Sequence, residues 1–305
     1  MDAFMNLWDK LCETVTAENV LTDEPMDRHT TFRVGGPADF FVTPANEEQV
    51  RDTLLLLKKE NVPYYVMGNG SNLLVGDKGF RGVIIQIAKK MNQIRVDGET
   101  IYAQSGALLS RVAAQALANG LTGFEFASGI PGTLGGAVMM NAGAYGGEMK
   151  QVLANAYVLT KVGEIRVIPA DLMELGYRTS IFSKNQDIVL GAELKLERGN
   201  EENIRNYMEE LKEKRVSKQP LEYPSAGSTF KRPEGYFAGK LIQDAGLRGF
   251  QVGGAQVSEK HCGFVINRNQ ATAADILSLM EQVADKVEAQ FGVRLEPEVK
   301  RIGEW

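Results

Sequence analysis

Apolar residues alternate between helical and strand-like spacing along the chain, and the changes of rhythm mark its elements. Phe4, Leu7, Trp8, Leu11 and Val15 recur at helical spacing and predict an amphipathic helix at the N-terminus. Gly35-Gly36-Pro37 marks a turn, and Phe40-Phe41-Val42 reads as a strand. Asn46 is placed to cap a helix running through Glu60, with Val50, Leu54 and Leu57 on its inner face. Pro63-Tyr64-Tyr65-Val66-Met67 is the next strand and completes a small βαβ unit. Beyond it, Leu73-Leu74-Val75 and Val83-Ile84-Ile85 are β-type runs broken up by Gly76, Gly79 and Gly82.

From Ile94 the pattern is that of a hairpin: Ile94-Arg95-Val96 and Ile101-Tyr102-Ala103 flank Asp97-Gly98, a strong turn signal. Residues 108–119 read as a helix with Gly120 just past its end. Strands are expected at 152–158, 165–168 and 188–197. A charged helix over 200–215, with Ile204, Tyr207, Met208 and Leu211 as its apolar face, joins this region to the last hundred residues. There, helices at 236–245 and 272–291 sit among short strands such as Phe264-Val265-Ile266. The fold class is therefore α+β. Two sheet-bearing lobes, about 1–88 and 89–200, make an N-terminal region 1–200, followed by a smaller α+β module over 201–305.

The chemistry concentrates in two glycine-rich runs. The longer, residues 123–145, reads GFEFASGIPGTLGGAVMMNAGAY; it contains no Lys, Arg or Asp, and its only acid is Glu125. The shorter is Gly68-Asn69-Gly70-Ser71-Asn72-Leu73-Leu74. Backbone N–H groups clustered without side chains in the way can bind phosphate oxygens with no positive residue. Two such cradles in one domain fit a ligand with a pyrophosphate between bulky ends. A side chain at Gly135 or Gly136 would be expected to block that approach or to force a disallowed φ. A Rossmann site is excluded, because Leu73 stands where the third glycine belongs and a strand follows instead of a helix. No GxxxxGK[ST] run exists, so a P-loop is excluded too.

Composition narrows the classes further. Of 305 residues, 44% are apolar and 24% charged, ordinary values for a globular protein large enough for two or three cores. The net charge of −5 argues against a nucleic-acid partner. Two cysteines, Cys12 and Cys262, cannot make a disulfide framework, and the N-terminus lacks a signal-peptide layout, so the cytoplasm is the expected location. No apolar run approaches the ~20 residues of a membrane span. With only His29 and His261, and no CxxC or HExxH spacing, no metal site is expected. No coiled-coil heptads are visible, and a monomer is expected.

Taken together, these residues resemble the UDP-N-acetylenolpyruvoylglucosamine reductase family over nearly the whole chain. The resemblance rests on GNGSNLLV at 68–75, SGIPGTLGGAVMMNAGAYG at 128–146, GYRTSIF at 176–182, AGSTFKRP at 226–233 and LEPEV at 295–299. Each stretch is short, but their order and spacing are specific. The resemblance implies an FAD-binding region of the vanillyl-alcohol-oxidase (PCMH) type over 1–200, with FAD held non-covalently between its lobes. It implies a substrate-binding domain over 201–305. It also implies that NADPH reduces the flavin and that hydride then passes to an enolpyruvyl ether, giving UDP-N-acetylmuramate. By the same resemblance the cofactor-binding residues are Gly68, Asn69, Gly70, Ser71, Asn72 and Leu73 in the first run. In the second they are Gly129, Ile130, Pro131, Gly132, Gly135, Gly136, Ala137, Asn141, Gly143 and Ala144. One type of the family carries an extra loop with a tyrosine soon after its arginine. Here Arg178 is followed within ten residues by the strand at Ile188, so the chain resembles the shorter type.

The reaction implied needs hydride at one alkene carbon, a proton at its neighbour, and support for the charge that develops between them. By resemblance Ser228 is the proton donor, with Arg215 and Lys218 as nearby positive charges that help a hydroxyl act as an acid. Arg178 fits the support of the substrate carboxylate, since its fork pairs bidentately. Glu298 would oppose an anionic intermediate unless it is protonated by burial or holds Arg178 or a water in place, and the sequence does not choose between these. Tyr177, Arg215 and Lys218 are substrate-contact candidates; Arg232 stands where some members have a substrate-binding asparagine. Two rival readings are an alcohol or lactone oxidase of the same flavin group and a non-catalytic nucleotide binder. The first often tethers its flavin through histidine, absent from both glycine runs; the second has no need of Arg178, Ser228 and Glu298 together.

Overall fold

Leu11 and Val15, one turn apart on the helix Asp2–Val15, are fully buried with Phe40, Val42, Leu57, Val83 and Ile85. Trp8 lies at the flank of that stripe and stays exposed. This computed structural model describes the backbone of residues 2–305 and the side chains of residues 7–305, so Phe4 falls outside the described side chains. The helix packs against a second, Glu47–Lys59, which begins where Asn46 accepts a hydrogen bond from the Gln49 N–H at 2.9 Å. Glu47 and Glu48 in its first turn and Lys58 and Lys59 in its last complement the helix dipole.

The adjoining four-stranded sheet runs in the order Val20–Pro25, Pro37–Val42, Phe80–Gln86, Tyr64–Met67. The expected βαβ unit is thereby opened. Phe80–Gln86 inserts between its two strands and pairs parallel with Tyr64–Met67, Val66 opposite Ile85. Fully buried Val83, Ile84 and Ile85 make it the apolar centre of the sheet, which is why it takes the inner position.

A five-stranded antiparallel sheet follows, ordered Ile165–Pro169, Leu153–Leu159, Ile188–Lys195, Thr100–Gln104, Ile94–Asp97. The last pair is the expected hairpin, closed with Asp97 opposite Thr100, so Gly98 (φ +60°) and Glu99 form the two-residue turn. The helices Leu109–Ala118 and Leu134–Met139 cover this sheet and bury Leu109, Val112, Leu134 and Val138 against Ala103, Ala192 and Leu194.

The chain divides into two compact units: residues 1–22, 40–69 and 82–214 form the first, and 23–39, 70–81 and 215–305 the second. The helix Glu201–Lys218 carries the chain from one to the other. In the second unit the helix Ala273–Phe291 buries Ile276, Leu279, Met280, Val283 and Val287 against Phe32, Leu241, Ala255 and Val265. A three-stranded sheet runs Gln251–Val252, Ala255–Val257, Val265–Asn267. A separate parallel pair joins Leu73–Val75 to Lys300–Ile302. Among the described residues no helix is long and apolar enough to cross a membrane.

Candidate active site

The two glycine runs, far apart in sequence, meet in the first unit. Asn69 Nδ2 donates to the Pro131 carbonyl at 3.0 Å, and a Cβ on Gly68 would lie 2.2 Å from Thr133 Oγ1. Gly68 is thus glycine because the buried Thr133 side chain lies directly against it. Gly129, Pro131 and Gly136 are exposed there, and Ile130 and Gly132 half-buried, leaving a strip of backbone almost bare of side chains. Glu125, the only acid in the run, is turned away. Its buried carboxylate accepts from Thr122 Oγ1 at 2.6 Å and from the Gly123 N–H at 2.8 Å, so it brings no negative charge to the strip.

Gly135 and Gly136 differ in their surroundings. The Gly135 N–H is held by the Ser105 carbonyl at 2.9 Å, and a Cβ on Gly135 would collide with Ser105 Oγ at 1.7 Å. Gly135 is a packing glycine. Gly136 is exposed, and its Cβ would meet only Thr133 Oγ1 at 3.7 Å. Neither glycine has a positive φ, so the expected φ penalty for a substitution does not apply; crowding accounts for Gly135 and open backbone for Gly136. Ala137 is buried in the core of the antiparallel sheet, which leaves only its backbone to face a ligand.

Arg178 stands on a tight turn, Gly176-Tyr177-Arg178-Thr179, closed by the Gly176 N–H to Thr179 O at 3.1 Å and its reciprocal at 3.3 Å. At the third position its φ is +54°, a place usually given to glycine or asparagine. A bulky residue held there is a strained feature of the kind that collects at functional sites. Its Nη2 reaches the Gly143 carbonyl at 3.5 Å, and its guanidinium carbon lies 5.3 Å from the centre of the exposed Tyr177 ring. Gly143-Ala144 pairs with Gly147-Glu148 in a minute hairpin whose turn residues, Tyr145 (φ +53°) and Gly146 (φ +89°), both lie left-handed. Asn141 does not present its amide to a ligand. The residue is 1% exposed, and its side chain bonds Glu148, Gly176 and Lys150.

The second unit collects the remaining candidates. The first glycine run enters it at Gly70 (φ +62°), whose carbonyl accepts from the Thr31 N–H. Asn72 Nδ2 donates to the Glu298 carbonyl at 3.1 Å, and the Lys300 N–H returns a bond to Asn72 O at 3.0 Å. Leu73 continues as the buried start of the strand pairing with Lys300–Ile302. The Glu298 N–H bonds to Thr229 O at 2.9 Å, and Phe230 bridges to Pro297. Ser228 therefore sits, exposed, one residue from the strand contact that fixes the half-buried Glu298. Gly227 (φ +75°) starts that tip, with open space around it. Thr229 anchors it: its N–H bonds to Gly263 O at 2.9 Å and its buried hydroxyl accepts from the Val265 N–H at 2.8 Å. The half-buried Arg215 and exposed Lys218 occupy the end of the helix Glu201–Lys218. Arg232 turns to its own loop, with Nε on the Tyr236 carbonyl at 3.3 Å and its guanidinium 4.0 Å above the Phe237 ring.

Two buried oxygens flank the first glycine run without a hydrogen-bond partner, Asn72 Oδ1 and Thr31 Oγ1. A buried polar atom left unpaired costs about 1–3 kcal/mol, so such atoms mark places where a polar ligand completes the protein. The bare strip at 129–136 fits, by itself, the phosphates of a polar cofactor. Thr31 is a candidate the sequence reading missed. Its signal was the Thr30-Thr31 pair ahead of Gly35-Gly36, whose link to Gly70 only the fold makes.

Comparison with known proteins assigns the class. Residues 38–168 match the FAD binding domain, and the region shares its fold with Phl p 4.0202, a glucose dehydrogenase, at TM-score 0.51 and 14% identity over 65% of this chain and 44% of that one. The chain is an FAD-containing oxidoreductase, with an FAD-binding region of mixed α and β structure and a C-terminal α+β domain. Residues 219–302 match the C-terminal domain of UDP-N-acetylenolpyruvoylglucosamine reductase. The reductase of that name from Agathobacter rectalis is 55% identical over 94% of this chain and 95% of its own length; that from Clostridium kluyveri is 54% identical over 100% of both. The crystal structure of the Thermus caldophilus enzyme superposes at TM-score 0.79, with 34% identity over 92% of this chain and 97% of that one. The chain belongs to the UDP-N-acetylenolpyruvoylglucosamine reductase family.

Proposed function

We propose that the protein reduces the enolpyruvyl ether of UDP-N-acetylglucosamine to UDP-N-acetylmuramate in the cytoplasm, as a monomer, with NADPH as the source of hydride. The single observation that supports this best is the convergence of Asn72, Ser228-Thr229 and Glu298 in the second unit through the hydrogen bonds Asn72–Glu298 and Glu298–Thr229. A binder of nucleotides alone has no use for an exposed hydroxyl one residue from a backbone bond to a half-buried glutamate.

FAD, when bound, supplies the centre that accepts hydride from NADPH and gives it to the substrate. The residues for holding it in the first unit are Gly68 and Asn69, the strip Gly129-Ile130-Pro131-Gly132 and Gly136. When hydride adds to one alkene carbon, the π electrons move to the carboxylate-bearing neighbour, which then takes a proton. Ser228 Oγ donates that proton and is reprotonated from solvent. Arg178 pairs with the substrate carboxylate and holds the negative charge that develops there. Glu298 is tied through its backbone N–H to Thr229, the residue after Ser228, and offers a half-buried carboxyl to the same reaction. Tyr177, Arg215 and Lys218 contact the substrate.

Ser228→Ala tests this reading. The two half-reactions are followed separately by stopped-flow absorbance. NADPH-driven bleaching keeps its rate, while recolouring by the enolpyruvyl substrate slows by about 10²–10⁴-fold, the usual worth of a positioned acid. Equal slowing of both steps assigns Ser228 to structure, and no slowing assigns the proton to another group.

A further inference from the structure

The side chain of Asn141 is buried and makes three hydrogen bonds, all of them to the protein. We propose that Asn141 is a positioning residue for Arg178, clamping the turn that carries the arginine to the hairpin that the arginine touches. The proposal rests on the reading of Arg178 as the group that holds the substrate carboxylate.

The geometry is a three-way tie. Asn141 Nδ2 donates to Glu148 Oε2 at 3.0 Å and to the Gly176 carbonyl at 3.0 Å, while its Oδ1 accepts from the Lys150 N–H at 2.8 Å. Gly176 is the first residue of the four-residue turn bearing Arg178, and Glu148 pairs with Gly143, whose carbonyl Arg178 Nη2 approaches. One amide thus fixes both ends of the arginine's surroundings. Asn141 itself is buried at φ +45°, a conformation that asparagine tolerates and most residues do not. Left-handed backbone at both Asn141 and Arg178, with no glycine at either, means that two strained residues are held in register by the same bonds. Aspartate cannot replace it, because both Nδ2 protons would be lost and a second carboxylate would face Glu148.

Asn141→Gly is the informative variant, since glycine keeps φ positive without strain and removes only the amide. Flavin content and NADPH-driven bleaching of the holoenzyme stay at the wild-type level. Reoxidation by the enolpyruvyl substrate slows on the order of 10- to 100-fold, as expected when a reacting group is displaced by about an ångström. A merely structural residue would slow both steps or shed flavin. The decisive comparison is a double-mutant cycle with Arg178→Ala. If Asn141 acts through Arg178, Asn141→Gly adds nothing once the guanidinium is gone. Glu148→Ala, which leaves the Asn141 backbone untouched, gives the same non-additive loss at smaller size and keeps the test open if the glycine variant misfolds. Additive losses, or an unslowed reoxidation in either variant, overturn the proposal. If Arg178→Ala alone leaves reoxidation unchanged, the role of Arg178 fails and this inference fails with it. If Arg178→Ala is slow while Asn141→Gly is not, only the clamp fails.

Discussion

At the scale of single residues, neighbouring glycines have different reasons to be glycine. Gly135→Val drives a side chain into Ser105 and is expected to yield little folded protein. Gly136→Val adds a side chain to an exposed strip; the variant should fold with wild-type circular dichroism but purify without flavin. A flavin-replete Gly136→Val protein would remove that strip from the cofactor site. His261 offers a pH-dependent prediction. Burial pushes its imidazole below the ordinary value of 6.5, and its Nδ1 accepts the Gly263 N–H at 3.1 Å, a bond only the neutral ring can make. Above about 6.5 the folded and unfolded chains are both neutral at this residue and its contribution to stability is constant. Below it the unfolded chain takes up a proton that the folded one refuses, so stability falls as pH drops towards the lowered folded value. Urea midpoints measured between about pH 5 and 7 should show this slope, and His261→Asn, which keeps an acceptor for Gly263 but does not titrate, should flatten it. Candidates for the chemistry could be named from motif order, whereas the inward turn of Asn141 and Glu125 could not be read. An amide or a carboxylate in a glycine-rich run looks alike whether it meets ligand or protein, and only the bonding partners decide.

At the scale of elements, caps formed by neighbours were legible and caps formed at a distance were not. Asn46 three residues ahead of Gln49 announces its helix. The helix Ala273–Phe291 carries its own capping box, Thr272 with Asp275, and a second cap from Asp77, whose carboxylate accepts from the Ala273 N–H at 2.8 Å and the Ala274 N–H at 2.9 Å. No local pattern reveals that partner, 196 residues away. Asp77→Ala removes it while leaving the Thr272 box in place. Loss of a cap of this kind costs about 1–2 kcal/mol, read as a lowered denaturation midpoint with unchanged m-value. The opened βαβ unit has the same origin. Strand order depends on which strand is buried on both sides, and the apolar run at 83–85 competes for the centre with an advantage that spacing alone does not display.

At the scale of the whole molecule, the family reading extends over both units, and it fixes how the cofactor should be held. Neither glycine run contains a histidine or a cysteine, so the flavin is expected to be released on acid precipitation, leaving a colourless pellet and free FAD in the supernatant. A yellow pellet would show a covalent link. The interleaving of the units was not legible, because a contiguous reading of 201–305 has no means of recruiting residues 23–39 and 70–81. The first glycine run changes unit between Asn69 and Gly70, and its second half is secured by the far end of the chain: Asn72 on Glu298, 226 residues on, and Leu73–Val75 on Lys300–Ile302. On the ribosome this orders events in time. The first unit has all its residues once synthesis passes 214, while the strand at 73–75 has no partner until residues 300–302 have been made and have cleared the exit tunnel. Flavin capture is therefore expected to wait for residues 300–302, and a nascent chain stalled short of residue 300 should be colourless on the ribosome.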